Sequence, residues 1–390
     1  MEIPLVSSFL EDDVYETRLT DEFMENIICE EDHFYHRTAK ALTQYNFEPV
    51  VYYLSREKNL KKFRHKFGHT IYRVPATRIN FFHEPIVFSS KLIELLSNYE
   101  ICDFVSGYYI KYKIPDMFDY SVFKLHNKLP IVTRWTGGTH KWLFPIRKSI
   151  KKSALQKCDK IFASSDDEIN ILETIFDISK EKISQLIFPT DFSIFKKREK
   201  FEAAQKISID SDKKYLLYVG RLVKNKGIEM MLDVFNELSK EYPKLNLIII
   251  GDGPFLNYIK NYSTKNNLKN KIILVGRLSH EKLCYYYNVA SVLLNIGLSG
   301  GVANVIIEAS ASNLPIINTN TGASKEYVNE KRKNGILINP GDKINLKHAI
   351  IRILEDEDFF KNGNYDYLKN FSYESFGKKL SQAYLELLKK

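Results

Sequence analysis

Apolar residues along this chain follow two rhythms in turn. Short runs of nearly continuous apolar residues alternate with longer stretches in which they recur every three or four positions, the spacing of one helix face. The second half shows this most cleanly. Tyr215 to Val219, Leu245 to Ile250, Ile272 to Val275, Ser291 to Asn295 and Pro315 to Asn318 read as strands. Between them, a helix from Gly227 carries Ile228, Met231, Leu232, Phe235 and Leu238 on one face, and Asn304 to Ser312 offers Val305, Ile306 and Ala309. Ile344 to Leu354 and the segment SYESFGKKLSQAYLELLKK read as closing helices.

The first half alternates less regularly. Its predicted strands are Ile3 to Phe9, Pro49 to Leu54, Thr70 to Val74, Asp103 to Tyr109, Pro130 to Trp135, Lys160 to Ala163 and Ile183 to Phe188. Predicted helices run over Phe34 to Tyr45, Ser90 to Asn98, Ile146 to Gln156 and Asp166 to Phe176. Ser165 followed by Glu168 reads as a capping box, so Asp166 and Asp167 are first-turn acids favoured by the helix dipole and not a metal site. Such alternation predicts an α/β chain with open, mostly parallel sheets covered by helices on both faces. At 390 residues the chain exceeds one comfortable core, so two domains are expected. The charged stretch from Phe192 to Lys214 breaks the pattern, and its start is the expected linker. Asp210-Ser211-Asp212 within it reads as a turn and not an acidic metal pair.

Composition narrows the class. Hydrophobic residues make up 44% and charged residues 27%, as in soluble globular proteins. No apolar run approaches the roughly 20 residues of a membrane-spanning helix, and the first residues lack the pattern of a secretory signal. Cys29, Cys102, Cys158 and Cys284 are widely spaced and read as reduced thiols of a cytoplasmic protein. The net charge of +9 gathers at Lys58 to Lys66 and at Lys141 to Lys157. The second cluster suggests peripheral attachment to an anionic membrane at its inner face; no nucleic-acid module accompanies either cluster. His33, His36, His65, His69 and His140 are too scattered to form a metal site, and Tyr285-Tyr286-Tyr287 read as packing residues.

Candidate chemistry gathers in the second half. Between the strand at Ser291 and the helix at Asn304, Gly300, Gly301 and Ala303 keep side chains out of the way of an anion approaching a helix start, whose first N–H groups have no internal partner. Glu308, one turn further in, is suited to accept two ribose hydroxyls. Gly220 ends another strand, with Arg221 after it and Lys226 just before the next helix. A guanidinium and an ammonium bracketing a helix N-terminus suit a diphosphate.

The motifs VGRLVKNKG, IIIGDGP, VGRLSHEKL, SGGVANVIIEASASNLPII, NTGASKEYV and NGILINPGD follow one another as they do in the nucleotide-sugar half of retaining GT-B glycosyltransferases of the large family-four type. The similarity is dense over about Lys214 to Asp342. CDKIFASSDDEINIL and LIFPTDFSIFK resemble that family's end-of-domain segments. The resemblance implies two Rossmann-like domains facing across a cleft. Residues 1–195 would bind acceptor and residues 196–372 the nucleotide sugar, and residues 373–390 would form a helix returning to the first domain. It implies Arg221 and Lys226 as the diphosphate pair and Glu308 as the ribose carboxylate, these three being the catalytic candidates. Gly220 and Leu278 join the donor contacts, the latter at the nucleobase. Gly300, Gly301, Val302 and Ala303 would hold phosphate and sugar through their amides. No metal and no cofactor is expected: the partners are a UDP- or GDP-linked sugar and a glycan, lipid-linked or polysaccharide acceptor, with retention of anomeric configuration.

Three positions depart from the family pattern. Gly300 stands where a second Glu usually touches the transferred sugar. Thr136, followed by Gly137 and Gly138 with His140 displaced, stands where a His is usual, and these four are the sugar- or acceptor-side candidates. Cys29 to His33 replaces the usual Gly-Gly loop. Two alternatives therefore stay open: a non-catalytic nucleotide-binding subunit of a glycosyltransferase complex, and a GT-B nucleotide-sugar epimerase.

Overall fold

A computed structural model describes residues 1–390 except 16, 31–32, 82–83, 106–115, 136–144, 299–303, 322–323, 362–364 and 390. The chain divides into two compact units: Met1–Pro189 with Tyr373–Lys390, and Thr190–Ser372.

In the first unit the strands are β1 (Glu2–Leu10), β2 (Glu48–Ser55), β3 (Lys61–Arg64), β4 (Thr70–Pro75), β5 (Thr77–Phe81), β6 (Glu84–Phe88), β7 (Cys102–Phe104), β8 (Ile131–Trp135), β9 (Lys160–Ala163) and β10 (Ile183–Gln185). Eight of them form one sheet in the order β10-β9-β8-β7-β1-β2-β4-β3, while β5 and β6 form a separate hairpin. All neighbours in the large sheet run parallel except β3 with β4. Helices cover both faces, so the central strands are buried throughout: every residue of β1 after Glu2 is inaccessible or nearly so.

The second unit contains β11 (Lys214–Val219), β12 (Leu245–Ile250), β13 (Ile272–Gly276), β14 (Val292–Asn295), β15 (Ile316–Thr319) and β16 (Gly335–Ile338). They form one parallel sheet in the order β13-β12-β11-β14-β15-β16. This is the doubly wound order of a dinucleotide-binding fold, in which the winding reverses between the first and fourth strands, here β11 and β14.

Several local expectations change. β3 and the β5–β6 hairpin went unpredicted, and so did the helix Met117–Leu125. That helix is closed by a capping box in which Asp116 and Asp119 accept each other's backbone N–H. The strand expected over Asp103 to Tyr109 ends at Phe104, and most of its second half lies outside the described residues. Within the charged stretch from Phe192 to Lys214, Lys200–Lys206 is a helix, which buries Ala203 and Ala204 and packs against the helix His280–Val289. Asp210 accepts the Asp212 N–H at 2.9 Å, a local turn. Ser165 caps the helix Asp166–Thr174, and Glu168 reaches back to Ser164 N–H and Oγ, at 2.7 and 2.6 Å.

In the basic segment from Lys141 to Lys157, the described cations do not form a continuous exposed surface. Within the helix Pro145–Gln156, Arg147 and Lys151 are buried. Lys151 lies 3.3 Å from Asp116 and 2.8 Å from Asp119; Arg147 contacts the same two carboxylates. Of the described cations here, Lys152 pairs with Asp177 and Lys157 lies against His126, which leaves Lys148 exposed. Among the described residues no helix is long and apolar enough to cross a membrane.

The helix Tyr373–Leu388 packs into the first unit. Gly377 permits its close approach to the helix Phe34–Thr43, since a Cβ there would stand 2.6 Å from the Ala41 carbonyl oxygen. Tyr384 donates to Asp103 at 2.5 Å, and Arg134 reaches the same carboxylate oxygen at 2.5 Å. All three side chains are buried. The four cysteines are free and buried, and burial pushes the Cys29 thiol up to about 11.

Candidate functional site

Arg221 and Lys226 lie in the loop between β11 and the helix Ile228–Glu241. The turn is anchored from two sides. Gly220 donates to the Ile250 carbonyl of β12 at 3.0 Å, and Leu222 donates to Asp252 O at 2.8 Å. Gly251 (φ +138°) lies so close to this turn that a Cβ there would fall 1.9 Å from the Gly220 carbonyl oxygen. Lys224–Lys226 then form a single 3₁₀ turn, and Gly227 (φ +73°) starts the helix. A side chain at Gly227 would be strained by that backbone angle, and its Cβ would lie 2.3 Å from the Ile296 carbonyl oxygen.

The same contact joins the two βα loops of the reversal point. Ile296 follows β14, and two residues on Leu298 donates to the Asn225 carbonyl at 2.8 Å. The segment leading out of β14 is therefore bonded to the turn that carries Lys226. Thr319 of β15 steadies it from the other side by donating to Gly297 O at 2.6 Å.

Arg221 is exposed and Lys226 is half-buried. Neither pairs with a carboxylate among the described residues. Burial, followed by the nearby Arg221 charge, holds the Lys226 ammonium below its ordinary range. Two cations that repel each other without a counter-ion form a ready seat for an anion.

Glu308 lies in the helix Asn304–Ala311 after β14 and is 2% exposed. The Tyr287 hydroxyl donates to its Oε2 at 2.8 Å. On the other oxygen, Oε1, His280 Nε2 approaches to 4.0 Å. Both partners come from the helix His280–Val289 after β13. Phe195 stands edge-on to the His280 and Tyr287 rings, at 5.4 and 5.8 Å. Burial and the adjacent carboxylate hold the Tyr287 phenol well above its ordinary range, so it remains a donor. Tyr287 occupies one acceptor position and so fixes the plane of the carboxylate, leaving Oε1 for a further donor.

Gly220, Arg221, Lys226 and Glu308 thus belong to loops and helices following β11 and β14. Leu278 is half-buried in the turn after β13, ahead of Ser279, which takes the N-cap position without a side-chain cap bond. Gly300, Gly301, Val302 and Ala303 lie outside the described residues, as do Thr136, Gly137, Gly138 and His140. His280 went unnoticed in the sequence, and Tyr287 was read there only as a packing residue; a Tyr three residues before the Ala-Ser that precedes β14 was the available signal. Three of the histidines that looked scattered, His36, His65 and His69, come together in the first unit.

The two units with these sheets define a class: the chain has the GT-B fold. It is similar over 99% of both chains to sucrose-phosphate synthase from Thermosynechococcus elongatus, with a TM-score of 0.75 at 18% identity. It is also similar to Anabaena HepE in complex with UDP, with a TM-score of 0.73 at 13% identity, covering 99% of this chain and 100% of that one. Within that class, residues 199–374 match the family described as Glycosyl transferases group 1. Among curated relatives, an alpha-monoglucosyldiacylglycerol synthase of Streptococcus pneumoniae is 24% identical over 249 residues, 62% of this chain and 55% of that protein. One of the same name from Acholeplasma laidlawii is 29% identical over 189 residues, 47% of this chain and 46% of that protein. The chain spans about half the length of these relatives.

Proposed function

We propose that the protein is a retaining glycosyltransferase that takes a sugar from a UDP- or GDP-linked donor. The observation that carries this reading is the junction at the β11–β14 reversal, where the Arg221–Lys226 turn is bonded to the segment leading from β14 toward Glu308. Ligands of doubly wound sheets bind outside the carboxyl ends of the strands at such a point. Arg221 and Lys226 would meet the charge that develops on the departing diphosphate, while Glu308, held by Tyr287, would bind the ribose. No step at this site needs a metal ion or a side-chain nucleophile. Attack on the same sugar face, with the departing phosphate taking the acceptor's proton, would retain the anomeric configuration.

A diacylglycerol acceptor is the first to test, because two relatives are named alpha-monoglucosyldiacylglycerol synthases. Glycan and polysaccharide acceptors follow. The assay is sugar transfer from UDP- and GDP-linked donors, with the product anomer read by proton NMR. Arg221→Ala or Lys226→Ala should lower transfer by roughly a hundredfold or more, the scale of losing one oxyanion donor. Unchanged turnover in both variants, or an inverted product, would reject the mechanism. Gly300 and Thr136, at positions where the family pattern has Glu and His, favour one rival: a subunit that binds nucleotide without turnover. Donor hydrolysis in the absence of acceptor distinguishes the two, since only a competent site leaks.

A further inference from the structure

The first unit contains a cluster outside the residues assigned above to donor binding. His36 sits in the first turn of the helix Phe34–Thr43, and His65 and His69 flank the tight turn between β3 and β4. That turn is closed by the His65 N–H to His69 O bond at 3.0 Å and the Gly68 N–H to His65 O bond at 2.8 Å. The three side chains are 0%, 2% and 4% exposed. One ring nitrogen from each lies within 4.8 Å of the other two. The His36 and His65 rings stack at 3.9 Å, and those of His65 and His69 at 4.5 Å.

The polar contacts are unusual for a purely packed core. His36 Nδ1 and His69 Nε2 stand 2.8 Å apart and share one proton. Tyr53 Oη lies 3.0 Å from His36 Nε2, and the Phe67 N–H donates to His65 Nδ1 at 3.1 Å. His69 Nδ1 is buried without a hydrogen-bond partner among the described residues. Three phenylalanines would fill this space with no buried nitrogen to satisfy. Burial, together with the neighbouring imidazoles and cations, holds His36 well below its ordinary range and His69 down to about 3.

We propose that His36, His65 and His69 form a structural site for one late first-row divalent cation, with Zn²⁺ as the probe, pinning the β3–β4 turn to the helix Phe34–Thr43. An ion entering between His36 Nδ1 and His69 Nε2 takes a lone pair from each. His36 Nε2–H then donates to the Tyr53 hydroxyl, an outer-shell bond that fixes ring and tautomer. His65 binds through Nε2, its proton moving to Nδ1 as the Phe67 amide is released. Nitrogens about 2.0–2.1 Å from a tetrahedral ion lie about 3.3 Å apart. Binding requires the close pair to spread and the His65 ring, stacked on both neighbours, to turn until its in-plane lone pair faces the ion. Imidazole ligands favour Zn²⁺ over Mg²⁺, which prefers oxygen.

The full-length protein, stripped with EDTA, is titrated with ZnCl₂ by calorimetry and with CoCl₂ by visible absorption, with MgCl₂ as control. One equivalent of Zn²⁺ should bind with a micromolar or tighter Kd and raise Tm, and Co²⁺ should give the d–d bands of a low-symmetry site. His65→Phe preserves the ring stack. It should keep the metal-free Tm yet weaken Zn²⁺ binding at least roughly a hundredfold, the upper end of the effect of losing an outer-shell partner. Absence of stoichiometric binding to the wild-type protein overturns the proposal and leaves a proton-sharing stack of neutral rings. Binding by His65→Phe as tight as wild type overturns it equally, by placing the ion elsewhere.

Discussion

Glu308 shows how one buried hydrogen bond can set the behaviour of a binding group. Its carboxylate is nearly inaccessible, and Tyr287 decides which way the plane of the group faces. Removing that hydroxyl leaves a buried oxygen short of a donor, worth about 1.5–3 kcal/mol for a bond to a charged group. Tyr287→Phe should therefore raise the Kd for UDP or GDP by roughly 10- to 100-fold, with turnover at saturating donor little changed. A fall in turnover with unaltered affinity would show that Tyr287 does not act through Glu308. Lys226 is the complementary case. Burial and Arg221 favour its neutral form, so its pKa in the ligand-free site lies below that of an ordinary lysine. A bound diphosphate favours the charged form and raises the pKa again. Nucleotide affinity should accordingly hold below that lowered pKa and weaken as pH rises through it, by up to about tenfold per pH unit. Lys226→Arg, which stays protonated, should abolish the alkaline decline. Calorimetry between pH 7 and 10 measures both slopes.

Elements differ in how openly the sequence declares them. β12 is buried at every position, and LNLIII announced it to the residue. β3 did not announce itself: KKFR has three exposed positions, because an antiparallel edge strand has no second face to bury. The helix Met117–Leu125 was missed although Asp116 and Asp119 form a capping box, since Asp replaces the more familiar Glu at the third helical position. The basic helix Pro145–Gln156 shows a different limit. Charge counts cannot reveal that Arg147 and Lys151 face Asp116 and Asp119 from an element some thirty residues earlier. Breaking a buried ion cluster by removing one partner costs about 3–5 kcal/mol. Lys151→Met should lower the urea midpoint accordingly while leaving sedimentation with anionic vesicles unchanged. A loss of vesicle binding with intact stability would restore the membrane-facing reading of this helix.

At the scale of the molecule, the second unit was the more legible half because its strands are simple apolar runs joined by turn glycines. The donor-side cations and Glu308 could be picked out one by one. Their relation could not, because it depends on β14 crossing back to lie beside β11, a pairing of segments more than seventy residues apart. The histidine cluster was hidden for the same reason, with His36 separated from His65 and His69 by the whole of β2. The helix Tyr373–Leu388 belongs to the first unit although the entire second unit precedes it. During synthesis, Asp103 and Arg134 leave the ribosome long before Tyr384 does. The domain made first must then wait, its interior unsealed, until after the one made later has all been synthesised, and a released chain truncated after residue 372 would show a finished second lobe and a loose first one.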